Sequence, residues 1–297
     1  MSNGGNWSNI LDELKEVPSK YDAIRHKYYK ELANLIDRNV LCYYSGWQQG
    51  KSASIDINDE DMEGIMSTVN GMEDKAKGLT LIMHTPGGDP NAAESIVSYL
   101  RELFDDDIEV IVPHMAMSAG TMMACASKKI IMGKHSSLGP VDPQFNGLPA
   151  YNILSEFKQA HEELHANSDN MAYWNILLSK YPPAFVKSAE DAVELSGELI
   201  KQWLSGVMFK NENAGKTIDT IVRNLNEHKK SKAHARHFNH QEVKEMGLKV
   251  ELLEDNQDLQ NLVLSLHHAF ILTLQQTTAS KIIEGPKSSY IIGEAQD

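Results

Sequence analysis

Two glycine-rich turns carry the residues most able to do chemistry. Pro86-Gly87-Gly88 and Ser118-Ala119-Gly120 lie about thirty residues apart, in LTLIMHTPGGDP and VPHMAMSAGTMMA. Each is entered from a short apolar, β-rich run and leads into a segment with helical spacing. A serine at such a strand-to-helix bend, among small residues, exposes its hydroxyl. It also leaves the first N–H groups of the next helix unpaired. The first turn can bring another free N–H beside it. The chemistry this suits is nucleophilic attack on a carbonyl, with backbone donors holding the oxyanion. The competing explanations are that Ser118 only caps a helix and that the glycines only permit turns.

A rival motif lies downstream. His161-Glu162-Glu163-Leu164-His165 has the HExxH pattern, in which two histidines on one helix face bind zinc and a glutamate acts as base. No third ligand follows at a familiar spacing beyond Glu190 and Glu194, and the segment is polar and charged. A solvated helix face explains it better, and no metal or organic cofactor is expected.

The elements that must position the turns read as follows. Residues 20–37 have helical spacing through Ile24, Tyr28, Leu32 and Leu35, and Val40–Tyr44 reads as a strand. Gln48–Ile57 reads as a polar loop, and Asp59 as the cap of a helix carrying Met62, Ile65, Met66 and Val69. Strands at Leu79–His84, Ile108–Pro113 and Lys129–Met132 alternate with helices at Asn91–Phe104 and Ser118–Ala126. That alternation predicts an α/β fold with a mainly parallel sheet and crossover helices. Gly133–Pro149 is a Gly- and Pro-rich loop. The second half is helical: 152–166, 171–179, 184–209 and 217–225. A short helix at Asn239–Met246 ends at Gly247, a suitable C-cap, ahead of a final strand at Lys249–Leu253. Leu259–Ile283 reads as one apolar stripe through Leu262, Leu266, Ala269, Phe270 and Leu274, suited to core or subunit contact. The expected organisation is a mobile N-terminus (1–17), one domain with a helical extension (18–285) and a tail (286–297).

Composition narrows the function. The 297 residues are 41% hydrophobic, enough for a substantial core, and the net charge of −13 disfavours nucleic acid as a partner. The basic run Lys229-Lys230-Ser231-Lys232 is short and reads as a solvated loop. Two cysteines provide no disulfide framework, and Cys125 reads as a buried structural thiol. No signal-peptide core and no transmembrane segment of about 18 apolar residues is present, so a cytoplasmic location is expected.

The longer pattern HTPGGD…VPHMAMSAGT…MGKHSSLGPVDPQ resembles the serine dehydrogenase proteinase family of the Clp protease/crotonase superfamily, related to signal peptide peptidase A. The resemblance covers about 40–145 and resumes weakly at 240–250. It implies a Clp/crotonase-like fold and a serine peptidase acting on peptides or unfolded proteins. In that family's pattern Ser118 is the nucleophile and Gly88 and Ala119 supply the oxyanion hole, with Gly87 shaping the turn. Clp-type enzymes take a histidine base from the stretch matching 139–143, which here contains none; His135 falls too close to Ser118. Relatives of signal peptide peptidase A use a lysine, and Lys158 follows Ser118 at about their spacing, with Lys134 and Lys180 as lesser candidates. Asp142 could orient a base, position a substrate amine or cap a turn. The resemblance also implies a homo-oligomer, for which the 262–274 stripe offers a surface. Many such peptidases carry membrane segments, and this chain departs from them in showing none. A crotonase-type acyl-CoA enzyme and a non-catalytic scaffold remain alternatives; the serine at 118 argues against the first.

Overall fold

The structure, a computed structural model, describes residues 20–145, 148–226 and 236–293. The expected mobile N-terminus and the 229–232 basic run lie outside the described residues.

A seven-stranded sheet forms the centre, in the order β10 (Val250–Leu252), β5 (Ile130–Met132), β3 (Ile108–Val112), β2 (Leu79–His84), β1 (Asn39–Ser45), β11 (Ala279–Glu284) and β12 (Ser289–Gly293). Its first five strands, from β10 to β1, are parallel. Successive side chains point to opposite faces, and both faces of β1, β2, β3 and β5 are largely covered, so these four read as mainly apolar runs, while β10 at the edge is partly exposed. Leu41, Tyr43, Leu81, Val110 and Met132 face one core, and Val40, Cys42, Tyr44, Ile82 and Ile111 face another. The second core is roofed by α1 (Lys20–Ile36) and α10 (Gln257–Gln276). The first is covered by α2 (Asp61–Val69), α3 (Pro90–Phe104), α4 (Ala119–Cys125), α7 (Phe185–Trp203), α8 (Gly215–Asn226) and α9 (His240–Met246). This is the α/β architecture that the alternating pattern predicts. Short strands β4 (Met115–Ala116), β6 (Ser137–Leu138) and β9 (Phe238–Asn239) form a side sheet, and β7 (Gln144–Phe145) pairs with β8 (Leu148–Pro149).

Several expectations change. Helix α2 starts after Glu60, not after a capping Asp59, because Asn58 and Asp61 bond across the turn. The stripe at 259–283 is not one element: α10 ends at Gln276, and β11 (Ala279–Glu284) then joins the sheet antiparallel to β1. The expected tail contains β12 (Ser289–Gly293), paired with β11. Leu266, Phe270 and Leu274 are fully buried in their own domain, so these three offer no subunit surface, and Leu262 is partly buried beside them. Exposed apolar side chains lie elsewhere among the described residues, with three of them, Met171, Tyr173 and Ile176, on α6 (Met171–Leu178). That helix follows α5 (Ala150–Ala166), which packs on α7 through the small cluster of Ala150, Ile153 and Ala189. Among the described residues, no helix is long and apolar enough to cross a membrane.

Candidate active site

The Pro86-Gly87-Gly88 turn leaves the carboxyl end of β2, and the Ser118 turn follows β4, just beyond the carboxyl end of the neighbouring β3, the edge at which open α/β sheets collect their ligands. Ser118 turns the chain from β4 into α4 with φ 47° and ψ −117°. Non-glycine residues rarely hold positive φ, and such strain gathers at functional sites. Although Ser118 stands at the N-cap of α4, its side chain makes no capping hydrogen bond. Helix capping therefore does not explain the serine. Its side chain is half-buried and lines an open cleft of about 510 Å³ with Pro86, Gly88, Ala119, Met122 and Phe145.

Main-chain bonds lock the two turns together. Thr85 N–H donates to Met115 O and Met117 N–H donates to Thr85 O, each at 3.1 Å. Thr121 Oγ1 lies 2.8 Å from Ala116 O and 3.0 Å from Gly139 O, and accepts from Gly139 N–H. Gly87 and Gly88 have φ 98° and 155°, conformations that exclude most side chains. A Cβ on Gly88 would come within 2.2 Å of Ile57 O, because Ile57 and Gly88 form a parallel bridge. The N–H groups of Gly88 and Ala119 find no acceptor among the described residues, and both residues line the cleft.

The expected base is not beside the serine. Lys158, on α5, is 75% exposed and sits 3.8 Å from Glu162. It does not line the cleft, and Lys134 and Lys180 are exposed as well. His135 occupies an exposed turn. Asp142 is buried between two cleft-lining residues, Val141 and Pro143. The carboxylates at the cleft are those of Asp56 and Asp89. Burial raises the Asp56 carboxyl above its ordinary range, opposed by Lys281. Asp89 caps α3 through Asn91 N–H at 2.8 Å.

The other sequence readings fall away from the cleft. His161, Glu162 and His165 lie on the exposed side of α5, and Glu163 accepts from Trp174 Nε1. Cys125 is fully buried, and burial pushes its thiol up to about 12, which suits an inert packing role. The Asp56-Ile57 wall was hidden in sequence: Ile55 and Ile57 are the two isoleucines of a short polar stretch, too brief a run to announce a strand.

A profile of the ClpP-like SDH-type serine proteinases matches residues 52–263, a span holding both turns and the helical half. The chain belongs to this family. The chain is 44% identical over 103 residues to an uncharacterized protein of Methanocaldococcus jannaschii, covering 35% of each chain. It is 39% identical over 130 residues to a second uncharacterized protein of that organism, covering 44% of this chain and 42% of the other. It thus spans between about a third and two fifths of the length of these curated relatives. Among solved structures it is similar to a serine-to-alanine mutant of the 1510-N membrane-bound stomatin-specific protease. That match has 18% identity, covers 69% of this chain and 78% of that one, and has a TM-score of 0.42. A lysine-to-alanine mutant of the same protease, in complex with a substrate peptide, gives 15% identity, coverages of 80% and 82%, and a TM-score of 0.40.

Proposed function

We propose that this SDH-type proteinase is a serine peptidase. Ser118 Oγ attacks the peptide carbonyl as its proton passes to a base. The N–H groups of Gly88 and Ala119 bind the oxyanion, the leaving amine takes the proton, and water releases the acyl-enzyme. One observation carries the reading: Ser118 holds a strained φ of 47° at a helix start without capping it, facing a cleft that two unbonded N–H groups also line. Gly87 keeps the first turn against the elbow, and Asp142 belongs to the loop that walls the cleft. A serine-directed phosphonate is expected to label the wild type and not Ser118→Ala. Equal labelling of both proteins removes the assignment.

Lys158 remains our proposed base, with a structural condition attached. Its ammonium must leave the water-facing pair with Glu162 and approach the cleft, which requires the α5–α6 arm to change pose. The cluster beneath that arm is separate from the two main cores and has only three fully buried members, Ala150, Ile153 and Ala189, which supports such freedom. Lys158→Ala should lower kcat by a far larger factor than Lys134→Ala or Lys180→Ala; equal effects would dismiss it. Peptide or unfolded protein is the substrate class we propose. Assembly as a homo-oligomer is part of the same reading, supported by exposed Met171, Tyr173 and Ile176 on α6. A cytoplasmic location is supported by two buried, unpaired thiols, which fit a reducing compartment.

A further inference from the structure

Strand β11, between β1 and the edge strand β12, carries a fully buried lysine. Lys281 Nζ lies 2.6 Å from Asp61 Oδ1, and neither side chain has any exposed surface. Removing two charges from water is costly, and well-packed apolar residues often serve stability as well or better. The pair therefore calls for an explanation beyond holding the fold together. Its other bonds supply one. Lys281 Nζ also donates to Asp56 O at 2.8 Å. Asp61 Oδ2 accepts from Asn58 N–H at 3.1 Å and from Tyr43 OH at 2.7 Å. The pair thus grips the backbone on both sides of Ile57. Ile57 in turn grips both sides of Gly88: its N–H donates to Gly87 O, and its carbonyl accepts from Asp89 N–H, each at 2.8 Å.

We propose that the Lys281–Asp61 pair positions the oxyanion turn, fixing residues 56–58 so that Ile57 holds Gly87–Asp89 and aims the Gly88 N–H into the cleft. This rests on the reading of Ser118 as nucleophile and Gly88 as oxyanion donor. The bonds leave little slack. Both Gly87 and Asp89 have their adjoining peptide groups bonded to Ile57, so the Gly88 N–H cannot rotate away without breaking that bridge. Release of Asp56 O and Asn58 N–H would free the bridge to shift. Donors in an oxyanion hole act through preorganisation, so a small displacement weakens them without removing them. Lys281 and Asp61 touch no substrate in this scheme; they act through Ile57.

The test uses Lys281→Met combined with Asp61→Asn, which leaves no buried charge unpaired. In the folded double variant, phosphonate labelling of Ser118 should slow by about 10- to 100-fold. Affinity for a peptide boronate should fall by the same factor. Affinity for an uncleaved peptide, measured on a Ser118→Ala background, should stay within about twofold, and kcat should fall with KM unchanged. A merely structural pair predicts wild-type labelling and boronate affinity in the folded variant, and that result overturns the proposal. Failure of the wild type to label at Ser118 is a different outcome, which overturns the peptidase reading on which the proposal rests. If the double variant does not fold, hydrogen exchange on the unaltered protein decides. The Ile57 and Asp89 amides should be protected to the level of the β1–β2 ladder; rapid exchange overturns the clamp.

Discussion

Gly87 packs so closely on Ser118 that a Cβ added at 87 would stand 2.7 Å from the Ser118 Cβ and 2.6 Å from Met117 O. The two turns, separate in sequence, form one contact surface. Gly87→Ala must also hold φ near 98°. We expect it to cost about 1–3 kcal/mol of stability and to slow phosphonate labelling by about 100-fold. Labelling kinetics alongside thermal unfolding measure both. A wild-type labelling rate would show that the contact does not shape the site.

Thr121 tests the lock behind the elbow. Its hydroxyl joins β4 to the loop at Gly139, and valine keeps the shape while removing the bonds. Thr121→Val leaves the Gly139 N–H without that acceptor, and a loss of about 1–3 kcal/mol is expected by denaturant unfolding. A neutral result would mean the remaining main-chain bond from Gly139 to Ala116 suffices.

Phe270 is stacked on Tyr44 with ring centroids 4.1 Å apart, and it is fully buried. Phe270→Ala should cost about 3–5 kcal/mol. Light scattering on the folded variant should return the wild-type mass, because this stripe faces the sheet and not another subunit. A drop in mass at unchanged fold would return the stripe to an interface role.

Acid should destabilise the fold through a histidine cluster behind the turns. His84 is buried among Trp47, His114 and His267, at ring centroid distances of 4.4, 5.4 and 5.2 Å. Burial first, then the neighbouring His114, lowers His84 from 6.5 to about 3. Burial likewise lowers His114, His267 and His268. A lowered folded value means that the unfolded chain binds more protons below its own pKa. This contribution is therefore complete above about pH 6.5 and declines as pH falls toward the folded value. For His84 alone the loss at pH 5 is about 2 kcal/mol. His26, raised by its hydrogen bond to Glu284, opposes this over the same range, one group against four. The thermal midpoint should fall between pH 7 and pH 5; a flat profile would show that the cluster is not kept neutral.

The central βαβ pattern and the Ser118 turn were legible because their signals are local. Leu79–His84 and Ile108–Val112 are largely buried and show as apolar runs, while glycine marks the positive φ at 87 and 88, though not that of Ser118. The helix at 240–246 was legible for the same reason, with Asn239 and Gly247 as its two caps. Strand β11 was not, because Ala279–Glu284 continues the apolar content of α10 without a glycine or proline between them. The break is signalled only by Thr277-Thr278, β-branched residues that favour extended backbone, and Thr277 is extended at the helix end. Lys281 and Asp61 were hidden more deeply. A buried ion pair looks in sequence like two surface charges, and its partners are 220 residues apart.

That separation orders events during synthesis. A ribosome releases the Ser118 elbow and the Gly87–Gly88 turn long before β11 emerges. Until Lys281 arrives, Asp61 has no cation and Asp56 O has no donor from that strand. On the proposed reading, a nascent chain would thus carry Ser118 beside an untensioned turn, latent until the last sheet strands dock. A peptidase made this way would be withheld from its neighbours while still unfinished.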